Sequence, residues 1–222
     1  MSIVDGKKTK TCDSSCSGYA TLFSLQNQVR SLYQITDPLS REAELFGVAI
    51  SFVYLGNLTF RLSHNFLFAF LSPRQRVLLA IGSMALSMSI LCSLFLFYGV
   101  LGYSDARPSL VWPFIAYGLG GVAIGTFESN LLSCITPLGK ETKNYAIIGM
   151  PLGIVAVTVG VFTVQAIVEA QSSSAMLPPD VLRQSRIVTA SAYGAVCVLL
   201  VGAIVAFRMR VFELAALGSR TT

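Results

Sequence analysis

From Val77 to Leu101 the chain runs without one charged side chain, and Ile187 to Phe207 repeats the pattern. At about 1.5 Å of rise per residue, helical runs of this length cover the ~30 Å hydrocarbon core of a bilayer. Inside hydrocarbon every backbone N–H and C=O must be satisfied within the protein, which makes the α-helix the natural state of such runs. Charged residues make up 12% of the chain, about half the share usual in a soluble domain. The expected fold class is therefore all-α, a polytopic membrane helix bundle of about five transmembrane helices.

The spanning stretches are expected at about 45–71, 77–101, 110–137, 145–170 and 187–208. They define a bundle over residues 45–210, preceded by a polar N-terminal arm, 1–44, and followed by a short cytoplasmic tail, 211–222. The arm opens without the apolar core of a secretory signal peptide. Its stretch Ala20 to Tyr33 is weakly amphipathic, interrupted by Gln26, Asn27, Gln28 and Arg30. It is too polar to span and is expected to lie on the membrane surface. Cys12 and Cys16, in C-D-S-S-C, read as unpaired thiols of this arm, or as a disulfide or lipidated pair; no Cys/His cluster has metal spacing.

Sixteen Lys and Arg against eleven Asp and Glu leave a net charge of +5. In a membrane chain the basic residues report sidedness rather than nucleic-acid binding. The loops S-P-R-Q-R (72–76), G-K-E-T-K (139–143) and R-M-R (208–210) are short, basic and alternate between spans, which assigns them and the C-terminus to the cytoplasm. Five spans then place the N-terminal arm on the opposite side, although it carries K-K-T-K.

Polar residues within the spans are few and concentrated. In G-N-L-T-F-R-L-S-H-N-F-L-F, the residues Tyr54, Asn57, Arg61, His64 and Asn65 recur at helical spacing and are expected to form one inward stripe. Val53, Leu55, Phe60, Phe66 and Leu67 are expected to face lipid. An arginine in mid-span costs about 2.5–3.5 kcal/mol on insertion scales and calls for a partner. Glu128, followed by Ser129 and Asn130, supplies one by depth. Arg61 and Glu128 each lie twelve residues before a residue of the next basic loop, Pro73 and Lys140 respectively. Both positions are about 18 Å from the cytoplasmic loops. The expected site is an Arg61–Glu128 pair framed by Asn57, His64, Asn65 and Asn130, acting as substrate contact or charge relay; the bland reading is polar glue between helices.

Small residues at four-residue spacing let helix backbones approach closely. Gly121 and Gly125 have that spacing, as do Gly149 and Gly153 around Pro151. These five are expected to serve helix packing, with Pro151 favouring a kink at a hinge. Phosphate loops, nucleophile elbows, H-E-x-x-H motifs and aqueous carboxylate pairs are all lacking. No catalytic residue, metal site or cofactor is expected.

The order of these features resembles the N-terminal half of a major facilitator superfamily transporter, helices two to six, over Leu45 to Arg210. The family's loop signature is G-x-L-x-D-R-x-G-R-R. Gly56, Leu58 and Arg61 match it in register, while Phe60, Ser63 and the His64–Asn65 pair depart from it. G-M-P-L-G is similar to the family's glycine-proline motif in helix five. The resemblance implies a twelve-helix relative with substrate bound between two halves, of which this chain would correspond to five helices. Two functions follow as expectations: a transporter-like protein or half-transporter, or a non-transporting membrane subunit or scaffold packing against partner helices. The expected partners are the lipid bilayer, a small solute, and a second copy or partner membrane subunit; nucleic acid is not among them.

Overall fold

The computed structural model describes residues 18–67, 69–101, 108–135, 158–164, 166–167 and 178–218, with positions 144, 148, 152 and 155 between them. Among the described residues all regular structure is helical. Residues 18–24 form a helical stretch that turns at Leu25 into α1, Gln26–Leu32. Then come α2 (Arg41–Leu67), α3 (Pro73–Leu94, continued by a π-helical stretch Phe95–Val100), α4 (Val111–Ile135) and α5 (Pro178–Gly218). Three helical segments are long and apolar enough to cross a membrane: Arg41–Ser63, Arg74–Val100 and Leu182–Val205. Val111–Phe127 is a shorter apolar helix. Most of the fourth expected span, with Gly149, Pro151 and Gly153, lies outside the described residues, as do Cys12, Cys16 and the 139–143 loop.

Helix ends follow local chemistry. The Asp37 carboxylate accepts the Leu39 N–H at 2.9 Å, the Ser40 hydroxyl accepts from Ala43 N–H, and Glu42 and Glu44 occupy the first turn of α2. There they meet the positive end of the helix dipole. Ser72 opens α3 with a capping box: its hydroxyl accepts the Gln75 N–H, and the Gln75 side chain accepts the Ser72 N–H at 2.9 Å. Pro73 fits the first helical position, where no N–H is needed. At the end of α1, Gln34 has φ 55°, Gln34 N–H bonds the Ser31 carbonyl and Ile35 N–H bonds that of Arg30. This is a Schellman closure with glutamine where glycine is usual.

Across the bundle the order of packing is α2, α4, α3, α5. The α2 and α4 helices run parallel, since Gly121 lies against Phe52 and Val53 while Gly125 lies against Asn57 and Arg61. The α3 and α5 helices run antiparallel: Gly99 meets Arg186, Phe95 meets Tyr193, and the Ser89 hydroxyl lies 3.0 Å from the Cys197 sulfur. Buried Ile81, Met84, Met88 and Leu91 of α3 form the middle of one continuous core.

The N-terminal segment departs from expectation. Residues 18–35 do not lie on a surface: Leu22, Leu25 and Val29 are fully buried, and Thr21, Leu32, Tyr33 and Ile35 are buried with them. Gly18 sits against Met84 and Leu200, Leu22 against Gly120, and the Tyr33 hydroxyl donates to the Ser109 carbonyl at 3.1 Å. The interrupting polar groups sit where they cost little. Asn27 is exposed, and Gln28 accepts from the Ser185 hydroxyl at 3.4 Å. Val29 thus enters the core with its polar neighbours at the edge.

The exterior carries many large apolar side chains, including Leu62, Phe66, Val198 and Leu199. Hydroxyls of Ser51, Ser63, Ser93, Thr163 and Ser191 turn back to carbonyls four residues earlier on their own helices. That satisfies exposed hydroxyls without water.

Candidate functional site

The crossing of α2 and α4 is made by glycine. A Cβ at Gly125 would stand 2.5 Å from the Asn57 carbonyl oxygen and 3.0 Å from the Arg61 nitrogen. At Gly121 it would stand 2.7 Å from the Val53 carbonyl oxygen, and a Cβ at Gly56 would stand 3.1 Å from Gly121 Cα. Backbone therefore meets backbone here, with three glycines supplying the room. Gly118 and Gly120, on the same helix, do not share this contact: nothing would meet a Cβ at Gly118, and at Gly120 it would meet the Leu22 side chain.

Buried polar groups follow the glycine run along α4. Thr126 and Asn130 are buried, at 0% and 2% exposure, and the Asn130 amide donates to the Thr126 carbonyl at 2.6 Å. Asn57 is half-buried. Its side-chain oxygen and the Thr126 hydroxyl are both shielded from solvent, with no hydrogen-bond partner among the described residues. Leaving such a group unpaired costs about 1–3 kcal/mol. The α2 and α4 helices thus hold unsatisfied polar capacity inside an apolar bundle.

The expected stripe on α2 is not one inward face. Asn57 turns toward α4, but Tyr54 and Arg61 are exposed, with the Tyr54 ring 5.4 Å from that of Phe23. Val53, expected to face lipid, is buried against α4, whereas Leu55 and Phe66 are exposed as that face requires. The reason is angular. Val53 and Asn57 are one turn apart and share the glycine-contacting face, and Arg61 falls at its flank. Arg61 does bring its backbone to Gly125. His64, Asn65 and Glu128 belong to the described helices, but their side chains lie outside the described residues.

Sequence reasoning passed over Gly56 as a packing residue, reading it as part of a loop motif, and passed over Thr126. Among the described residues no group of three or more His, Cys, Asp or Glu can hold a metal ion, and Cys92 and Cys197 are free thiols. A groove of about 410 Å³ between residues 160–164, Leu25 and the Val188–Ala192 stretch of α5 is almost wholly apolar.

Comparison of the chain with protein-family models, with curated proteins and with solved structures returned no match. The roles of its residues therefore rest on their geometry.

Proposed function

We propose that the chain is a multi-pass membrane protein of transporter-like kind, with about five spans, that handles a small solute through polar groups at the α2–α4 crossing. The observation that carries this reading is the distribution of polarity. Large apolar side chains cover the outside, while Thr126 and Asn130 are buried on α4 and the Asn57 side-chain oxygen is shielded on α2. A bundle in water places these groups the other way round. Polar groups inside membrane bundles that exceed what packing satisfies mark solute or ion paths. On this reading Arg61 and Glu128 flank the crossing as charge relay or substrate contact, and the basic loops and C-terminus face the cytoplasm. The likeness to half of a major facilitator-type transporter is part of the same proposal.

One observation favours a second reading. Arg61 is exposed on a flank of α2 that also presents Leu55, Leu58 and Leu62. A face of that composition suits a partner helix, as in a non-transporting subunit or scaffold.

The two are separated by reconstitution. In liposomes, solute uptake that is lost in Glu128→Gln and Thr126→Val supports the transporter-like reading. Full uptake in Glu128→Gln removes the charge from the mechanism. Stable co-purification with a larger complex, lost in Arg61→Ala, supports the subunit. Extraction of the chain from membranes by alkaline carbonate would overturn both.

A further inference from the structure

Arg186 lies on α5, near one end of the apolar segment Leu182–Val205, which has 24 residues. At about 1.5 Å per residue the segment is ~36 Å long against a ~30 Å hydrocarbon core, so Arg186 falls close to the hydrocarbon edge when the segment is centred. The arginine has a built seat. Its methylenes lie over buried Gly99 of the π-helical stretch: a Cβ at Gly99 would stand 3.3 Å from Arg186 Cβ and Cδ and 3.5 Å from Cγ. That wide turn closes with the Leu101 N–H on the Leu96 carbonyl at 3.0 Å. The neighbouring Ser185 hydroxyl donates to the Gln28 side-chain oxygen at 3.4 Å, which leaves the Gln28 amide NH2 for another acceptor. Arg183, three residues before Arg186 and so on the same side of the helix, is exposed.

Among the described residues Arg186 has no counter-charge. The carboxylates whose side chains are described, Asp37, Glu42 and Glu44, stand just before α2 or in its first turn, and α2 packs against α4. The Arg186 Nε is shielded from solvent and has no hydrogen-bond partner among the described residues. Snorkelling does not explain this, because a snorkelling arginine delivers its charged head to water. Here the inner nitrogen of the head is sealed while the stem is pinned on Gly99. A guanidinium held in this way calls for an anion that accepts a fork of N–H groups, and carboxylate and phosphate both do so. Depth selects between them, since phosphate is the anion that a bilayer presents at the hydrocarbon edge.

We propose that Arg186, seated on Gly99 and flanked by Arg183 and Gln28, is a binding site for a phosphate group at the membrane edge, supplied by an anionic phospholipid or by free phosphate. The Nε and one outer nitrogen of Arg186 donate to two phosphate oxygens, and Arg183 answers the remaining charge. The site uses no residue of α2 or α4 and concerns binding alone, so failure of the uptake experiment leaves it standing.

The test is thermal unfolding of the full chain in a phosphate-free maltoside detergent. The additions are phosphatidylglycerol, or sodium phosphate against sodium chloride at equal ionic strength. Phosphatidylglycerol is expected to raise the wild-type midpoint by about 2–4 °C. Arg186→Gln is expected to lose at least half of that rise. Gly99→Ala keeps the arginine but displaces its stem, and is expected to show a reduced rise. Arg74→Gln, at the exposed opposite end of α3, is expected to keep the rise whole. A rise with phosphatidylglycerol alone supports a lipid headgroup; a rise with sodium phosphate as well, lost in Arg186→Gln, supports a site open to free phosphate. The proposal is overturned if neither addition shifts the wild type, or if the shift survives unchanged in Arg186→Gln and Gly99→Ala. It is also overturned if Arg74→Gln loses as much as Arg186→Gln, which would mean a general attraction of anions to a basic chain. The side chain of Asp180 lies outside the described residues. If Asp180→Asn lowers the midpoint without additions as much as Arg186→Gln does, the arginine has its counter-charge within the chain and the proposal falls.

Discussion

At the scale of single residues, the described structure separates glycines that matter from glycines that do not, within one helix. Gly125 and Gly118 both belong to the glycine-rich run of α4, yet a Cβ at Gly125 meets the Asn57 carbonyl oxygen at 2.5 Å and one at Gly118 meets nothing. Gly125→Ala must push two backbones apart and is expected to cost about 1–3 kcal/mol. Gly118→Ala is expected to be neutral or to gain up to about 1 kcal/mol from helix propensity. Unfolding of the two variants in mixed micelles checks the pair, and equal losses at both positions would sink the assignment of the crossing. The four-residue spacing of Gly121 and Gly125 was readable in sequence. Their partner Gly56 was not, because spacing on one helix says nothing about the register of the next.

At the scale of elements, the segment before α2 changes most between sequence and structure. Its polar residues argue against a span, and by period alone it resembles a surface helix. In the fold it is a core element: Leu22, Leu25 and Val29 are fully buried among α3, α4 and α5. Leu25→Ala should therefore behave as a core truncation, costing about 2–5 kcal/mol. The same change at Leu62, which is 77% exposed, should cost far less in detergent. Comparable midpoints for the two alanine variants would show that residues 18–35 do not pack as described. The closure of α1 was equally hidden. Gln34 takes the left-handed conformation that sequence reading assigns to glycine, and buried Ile35 anchors the turn beyond it.

At the scale of the whole molecule, helix order is the testable quantity. Sequence supplies consecutive spans, whereas packing supplies the row α2, α4, α3, α5. The pairing of α3 with α5 rests on contacts such as Ser89 with Cys197, whose side-chain atoms are 3.0 Å apart. Ser89→Cys would bring two sulfurs into contact. Mild oxidation of that variant should link the two helices, read by peptide mapping after cleavage between them. A Ser93→Cys control, whose position is exposed, should not form the link. Failure of Ser89→Cys to cross-link to Cys197 would overturn the antiparallel α3–α5 pair.

By itself the sequence determined the helical class and the positions of the long apolar helices within a few residues, whereas the starts of α2 and α3 fall in Arg41–Glu44, expected in the polar arm, and at Pro73, expected in a loop. These properties are local: hydrophobic length depends on consecutive residues of one segment. The tertiary structure alone decided which face of α2 meets α4, that Val53 rather than Arg61 occupies its centre, and that residues 18–35 belong to the core. It also brought Tyr33 to Ser109 and Phe95 to Tyr193 from positions far apart in the chain. Burial and unsatisfied hydrogen bonding depend on what the other helices present, and no periodicity within a single helix encodes that.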